Sequence, residues 1–243
     1  MLGPNHRSEG INLLSTLHDE HVALGANFAG YHGRQMVARY SGLDAECAAA
    51  AELAIMDLSL WPRGGCRGPG APDWVSETGN CPGDINQFIA CPDGSLLLRP
   101  GKDEFWWLER LAPGTQDDQG RPWPSARIFA HADQIASARD VYGLARQHSH
   151  ALIALTGRLA PRTLAKCCAL NLPQCLEPGH FAQTQACGVS VLAIPLDVGS
   201  KPVYLLFCDA SVTLHVWTSL LQAGDEFNIL PAGIDALQAL HPG

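Results

Sequence analysis

Asp93 stands in a Pro92-Asp93-Gly94 tripeptide between two apolar runs. A carboxylate presented there can act as a general acid or base. The same tripeptide is a common turn sequence, because Asp hydrogen-bonds its own backbone and Gly accepts left-handed backbone. The residues alone leave both readings open. The ten histidines include His148-x-His150 and His18-x-x-His21. His-x-His on a strand puts both rings on one face, as a metal site needs. No third ligand follows at a suitable spacing, so no metal is expected. Nine cysteines include Cys167-Cys168, Cys175 and Cys187 in one group and Cys66, Cys81 and Cys91 in a looser one. None has CxxC spacing, and an odd count does not suit a fully paired disulfide framework. They read as small buried hydrophobes and incidental thiols, with a metal or iron–sulfur site as the alternative. Trp106 and Trp107 are adjacent on an expected strand and so face opposite ways. One is expected in the core and the other at an interface. The sequence has no GxGxxG, no P-loop and no nucleophile elbow, which argues against the usual dinucleotide, nucleoside triphosphate and serine-hydrolase chemistries.

The elements that must carry these residues belong to a chain of 243 residues, 47% apolar and only 16% charged. Such a chain can bury a full core. The charge content falls below the roughly one quarter usual for soluble proteins, which points to surface covered by a partner. The net charge is −8, without a Lys/Arg cluster, so nucleic acid is a poor ligand class. No apolar run of about 18 residues predicts a membrane span. The first nine residues contain no apolar signal core, and the expected location is the cytoplasm.

Residues 42–56 read as a helix rich in Ala and Glu, with Ser41 as N-cap and Asp44 in its first turn. A short strand follows and is expected to break at Arg63-Gly64-Gly65. A second helix runs toward a C-cap at Gly79. Residues 85–91 and 94–99 pair across Pro92-Asp93-Gly94, and Glu104–Leu108 is another strand. Residues 112–126 are rich in Pro and Gly and mark a long loop. Then come a helix over about 132–146, a strand over 150–156, a helix over 158–169, strands over 188–195 and 202–208, and a helix over 210–223. Asp209 caps this last helix and Gly224 ends it. The fold class is α+β, with antiparallel sheets covered by helices.

Several of these segments together resemble the aminomethyltransferase (glycine-cleavage T-protein) family. The similarity is densest from His18 to Ser59, with Gly25-Ala26-x-Phe28, Gly33-x-x-Met36-x-x-x-Tyr40, Glu46 and Asp57-Leu58-Ser59. Further matches are Arg67-Gly68-Pro69-Gly70-Ala71, Leu98 to Phe105, Leu155 to Ala160, and Leu221 to Gly233. The resemblance implies a two-lobed fold: a first lobe over 1–111, a connector over 112–131 and a second lobe over 132–243. The chain ends where the family continues into a C-terminal barrel domain, so that domain is expected to be absent. In this respect it is similar to short forms of the family, the gamma subunit of heterotetrameric sarcosine oxidase and the T-protein-like subunit of dimethylamine monooxygenase.

The resemblance also implies a chemistry. The family passes a one-carbon unit to tetrahydrofolate held between its lobes. Asp93 matches the family's catalytic acid, and Asn86, Asp93 and Tyr204 are the expected cofactor-binding residues. Two other folate signatures are altered. Pro195 to Leu205 keeps no pterin-binding glutamate, and Leu237 stands where the family has an arginine. Hydrogen bonds to charged groups contribute about 1.5–3 kcal/mol each, so a self-sufficient folate site is weakened, while one completed by another chain is not. The expected function is that of a subunit in an oxidative N-demethylase complex acting on dimethylamine or sarcosine. It would help pass formaldehyde or an iminium to tetrahydrofolate, or hold the complex together. Its partners would be flavin- or heme-containing redox chains. An autonomous tetrahydrofolate-dependent aminomethyltransferase and a folate-free scaffold are the alternatives.

Overall fold

A computed structural model describes residues 13–31, 34–77, 79, 81–92, 94–111 and 139–240. Its strands in chain order are β1 Asn27–Tyr31, β2 Arg34–Arg39, β3 Ala54–Asp57, β4 Arg63–Arg67, β5 Phe88–Ala90, β6 Leu96–Gly101, β7 Glu104–Leu108, β8 Tyr142–Leu144, β9 His150–Thr156, β10 Ala182–Ala186, β11 Val189–Val198, β12 Lys201–Asp209 and β13 Leu230–Pro231. They form a six-stranded sheet in the order β10-β11-β12-β9-β3-β13, a five-stranded sheet in the order β5-β6-β7-β4-β8, and a β1-β2 hairpin. Every pairing is antiparallel except β13 with β3. The α+β class and the antiparallel sheets covered by helices are as the sequence predicts. Among the described residues no helix is long and apolar enough to cross a membrane.

The side chains of β12 show how the layers are built. Val203, Leu205 and Phe207 enter a core shared with Leu98, Trp106 and Leu108 of the five-stranded sheet. Tyr204, Leu206 and Cys208 enter a second core with Val216, Trp217 and Leu220 of the helix Thr213–Gly224. Successive strand residues point to opposite faces, and here both faces are covered. Runs such as ALIAL and VYLLFC are therefore continuously apolar. A third core packs Cys66, Phe105 and Trp107 against Val75 of the helix Ala71–Glu77.

The two sheets draw on both halves of the chain. Strand β3, from the first half, pairs with β9 of the second. Strand β8, from the second half, pairs with β4 of the first. The connector expected at 112–131 lies outside the described residues.

Several local expectations change. The helix expected over 42–56 covers only Leu43–Glu52, and Ala54–Asp57 is strand β3. All four residues of β3 are buried, and sheet pairing at the centre of the fold overrides the helical propensity of the run. Ser41 is not the cap; that position is Gly42, without a side-chain cap bond. Instead Glu46 Oε1 accepts the backbone N–H groups of Tyr40 (2.5 Å) and Ser41 (2.7 Å), and Oε2 accepts that of Gly233 (2.8 Å). Arg63-Gly64-Gly65 does not break a strand but lies in β4, between β7 and β8. A Cβ at Gly65 would stand 2.6 Å from the Phe105 carbonyl oxygen, so close strand approach explains the glycine.

The helix expected over 132–146 falls partly outside the described residues. Within them, Tyr142–Leu144 is strand β8, and only Arg146–Ser149 is helical. The helix expected over 158–169 shortens to Ala160–Leu164. Asp209 does cap, accepting from the Ser211 N–H (2.8 Å) at the 3-10 turn that leads into Thr213–Gly224. Gly224 is the last residue of that helix, as expected, but with φ −91°, and the left-handed residue is Asn228. A Cβ at Gly224 would meet Ile229 Cβ at 2.7 Å, so packing rather than a C-cap selects the glycine. The turn between β5 and β6 forms as expected, with Gly94 N–H donating to the Cys91 carbonyl at 2.8 Å and Gly94 at φ +82°.

Glu46 is buried, and its carboxylate joins the β2 end, its own helix and the Gly233 loop before the C-terminal helix Ile234–Ala239. Substituting Ala leaves three backbone donors without this acceptor. Glu46→Ala is expected to lower unfolding stability by about 3 kcal/mol, measured by urea denaturation followed by circular dichroism.

Candidate functional site

A cleft of about 720 Å³ opens between the outer strands of the six-stranded sheet and the facing edge of the other sheet. Its walls include Glu104 and Trp106 of β7, Gln183 and Gln185 of β10, and Phe207 and Asp209 of β12, with Arg146 and His150 across the mouth.

Glu104 organises one side. Its Oε1 accepts the Trp106 indole N–H at 2.6 Å and is also bonded by Arg146 Nη2. Strand alternation puts residues 104 and 106 on one face, so the pairing is local. The Arg146 guanidinium lies 4.5 Å from the Trp106 ring centroid, within cation–π range. The Trp106 ring also meets His150 (5.1 Å) and Phe207 (5.6 Å) edge-on.

Beneath these rings lies Arg63, 1% exposed. It donates to the Trp61 carbonyl (3.1 Å) and to the His150 carbonyl. Burial pushes its guanidinium down to about 10, so it stays charged at neutral pH. Burial first, and then the cations Arg146 and Arg63, push the His150 imidazole below its ordinary range. That ring is therefore neutral at pH 7 and able to take up a proton. Asp209 is held low by the Ser211 hydroxyl and N–H and stays ionised. The cleft thus combines an aromatic floor, one accessible cation, a neutral imidazole and a carboxylate. Such a set can hold a flat polar ring with an acidic tail and manage a proton at its edge.

The expected site residues fall in different places. Asn86 sits at the rim, in left-handed backbone with φ +68°. Its side-chain oxygen accepts from the Gln183 amide (2.8 Å), which also donates to the Pro100 carbonyl (2.6 Å). Asn86 is therefore one hydrogen bond behind the cleft wall. Tyr204 is 5% exposed and points into the helix-side core, on the face of β12 opposite Phe207. Burial and then Asp197 push its hydroxyl up. Asp93 lies outside the described residues. The cleft is instead lined by Glu104, Arg146 and Asp209, together with Trp106 and with His150 of the His-x-His pair. Only the Glu104-x-Trp106 alternation was a local signal for any of them.

Trp106 and Trp107 do face opposite ways, but both are buried, at 7% and 8% exposure, and neither is left for an interface. Trp107 packs edge-on against Trp74 at 6.1 Å. His148 is in the short helix and only His150 is on the strand, so the His-x-His pair does not share a strand face. Among the described residues no group of three or more His, Cys, Asp or Glu side chains can hold a metal ion.

His21 takes a structural role. Its Nε2 bonds Asp57 Oδ2 at 2.9 Å, and the Tyr40 hydroxyl bonds its Nδ1 at 2.8 Å. Asp57 further accepts the Ser15 hydroxyl and the Ser59 N–H (2.8 Å). A ring protonated on Nε2 satisfies both partners. His21 and the Asp57 side chain are 1% and 3% exposed, so no substrate reaches them.

No protein-family profile matches the sequence. An aminomethyltransferase of Symbiobacterium thermophilum is 26% identical over 242 residues, covering 92% of this chain and 62% of the relative. One of Deinococcus deserti is 25% identical over 238 residues, with the same two shares. The aminomethyltransferase T of the glycine cleavage system from Bartonella henselae superposes with a TM-score of 0.71 at 19% identity, over 93% of this chain and 61% of its own. The chain resembles aminomethyltransferases over almost its whole length and shares the fold of one of them. It spans about three-fifths of the length of these relatives. A chain of heterotetrameric sarcosine oxidase from Corynebacterium sp. U-96 has the same fold, with a TM-score of 0.57 at 20% identity, over 76% of this chain and 92% of that one.

Leu205, in the stretch expected to lack the pterin-binding glutamate, and Leu237, expected to stand for an arginine, are both fully buried in the layer between the sheets.

Burial raises the Asp57 carboxyl, but the hydrogen bond and attraction of His21, with bonds from Ser15 and Ser59, outweigh it and hold the group below its ordinary range. A carboxyl depressed on folding contributes stability that is complete above its unfolded value, about 4, and is lost as pH falls through the lower folded value. Asp57→Asn is expected to destabilise the protein by about 2–3 kcal/mol at pH 7. It is also expected to reduce the loss of stability between about pH 5 and 2. Urea midpoints across that range measure both effects.

Proposed function

We propose that this aminomethyltransferase-family chain works as a subunit of a cytoplasmic oxidative N-demethylase complex. Redox partners carrying flavin or heme would oxidise a methylated amine, sarcosine or dimethylamine. This chain would present its cleft to the one-carbon product, formaldehyde or an iminium, on the way to tetrahydrofolate. The observation that carries the reading is the sarcosine oxidase match, which spans 92% of that chain. The matched aminomethyltransferase T is covered only to 61%.

The cleft fits a shared folate site. Trp106 and Phe207 supply aromatic surface and Arg146 a cation for the acidic tail of the cofactor. Tetrahydrofolate, when bound, supplies the nucleophilic nitrogens that accept the one-carbon unit. The chain's part is to bind and orient, with Glu104 steering Trp106 and Arg146. His150, neutral at pH 7, offers an imidazole hydrogen-bonding group at the cleft mouth. The buried Leu205 and Leu237 provide no polar contact, so partner residues would complete the pterin end.

An affinity pull-down of the tagged chain from its native host is expected to recover flavin- or heme-containing redox chains. Recovery of the chain alone would contradict the proposal. Calorimetry separates the autonomous aminomethyltransferase from the subunit. Tetrahydrofolate should bind the assembled complex at least tenfold more tightly than the isolated folded chain, and Trp106→Ala should weaken that binding in the complex. Equal affinity for isolated chain and complex would favour the autonomous enzyme, for which Asp93→Asn should abolish transfer.

A further inference from the structure

The cleft wall formed by β10 and β11 ends in a tight turn, and thiols flank it. Cys168 and Ala186 make an isolated antiparallel bridge. On either side of it the Cys187 N–H donates to the Cys167 carbonyl (2.8 Å) and the Ala169 N–H to the Gln185 carbonyl (2.9 Å). This register brings Cys167 opposite Cys187 through one backbone hydrogen bond, while the Cys167 N–H donates to the Leu164 carbonyl at 3.0 Å. Residues opposite one another across an antiparallel ladder have Cα atoms about 4.5–5.5 Å apart, within the span of roughly 4.4–6.8 Å that a disulfide bridges. Both cysteines are free and partly exposed, so a small oxidant reaches them.

The turn is held in place around the pair. Cys187 and Gly188 both adopt left-handed backbone, φ +53° and +76°. The Cys187 carbonyl also accepts from His215 Nε2 of the neighbouring helix at 2.7 Å. The two thiols differ in character. The Cys167 thiol lies 3.7 Å from the Thr163 carbonyl; the neighbouring Cys187 thiol, backed by the charge of Lys166, lowers Cys167, while Cys167 raises Cys187. Cys167 is therefore the nucleophile of the pair and Cys187 the resolving thiol. Cys208 is buried, and burial raises Cys168.

We propose that Cys167 and Cys187 form a reversible redox pair that closes to a disulfide on meeting a hydroperoxide, fastening the β10–β11 turn beside the cleft. The Cys167 thiolate attacks the terminal peroxide oxygen. The O–O bond breaks, an alcohol or water leaves with a proton, and Cys167 becomes a sulfenic acid. The Cys187 sulfur then attacks the Cys167 sulfur, the S–O bond breaks, and water leaves with the Cys187 proton. Two thiols are oxidised by two electrons and one hydroperoxide is reduced. A thiol reductant reverses the bond by exchange. The closed form ties the segment after helix Ala160–Leu164 to the strands that carry Gln183, Gln185 and Ser190 of the cleft.

The test uses the full chain, reduced, desalted and treated with one equivalent of hydrogen peroxide. Remaining thiols are blocked, and the protein is cut with trypsin and chymotrypsin. Mass spectrometry should find residues 167–170 linked to 182–192, with the link removed by dithiothreitol. The link should persist in Cys168→Ser and Cys175→Ser and vanish in Cys167→Ser and Cys187→Ser. Absence of the link in the folded wild-type protein overturns the proposal, as does its survival in Cys167→Ser. The wild-type peptide map decides the matter even where a variant folds poorly.

Discussion

The structure depends on a single apolar layer pressed between two antiparallel sheets. Leu98, Trp106 and Leu108 meet Leu152, Ile194, Leu205 and Phe207 there, with Met56 and Trp61 closing the layer. Helices cover the outer face of the six-stranded sheet, so most of its central residues are buried on both sides. Polar chemistry cannot sit in the middle of such a sandwich unless every group is paired. It is displaced to the margin where the sheets part, which is where the cleft opens.

At that margin Trp106 belongs to both environments. Its ring is part of the apolar layer, and its indole N–H reaches Glu104. Glu104 in turn holds Arg146, while Arg63 lies buried underneath with its charge met by backbone carbonyls. These neighbouring cations, together with burial, keep His150 neutral. One aromatic side chain thus couples the packing of the core to the electrostatics of the cleft.

The matched fold extends over almost the whole chain. Leu205 and Leu237 are apolar and lie in the core between the sheets. The polar side chains that face open space come from β7, β10, β12 and the segment before β9. The chain retains the fold of the matched aminomethyltransferase T over 93% of its length.

Much of this was legible before folding. Short-range chemistry specified the Glu104–Leu108 strand, the hairpin turn at Gly94, the Asp209 cap and the apolar runs of β9, β11 and β12. The residues from His18 to Ser59 also carried the family likeness. Tertiary structure decided the rest. The end of an alanine-rich helix became β3 because a sheet centre needed a buried strand, and Arg63-Gly64-Gly65 became β4 because glycine admits a close neighbour. Tyr204 went to the core rather than the cleft because strand parity, set by pairing with β9 and β11, assigns its face. Glu104, Arg146, His150 and Asp209 carry no shared local pattern. They meet because β8 and β9 return beside strands distant in the chain, and long-range pairing of that kind is set by which faces must be buried together, not by the residues on either side.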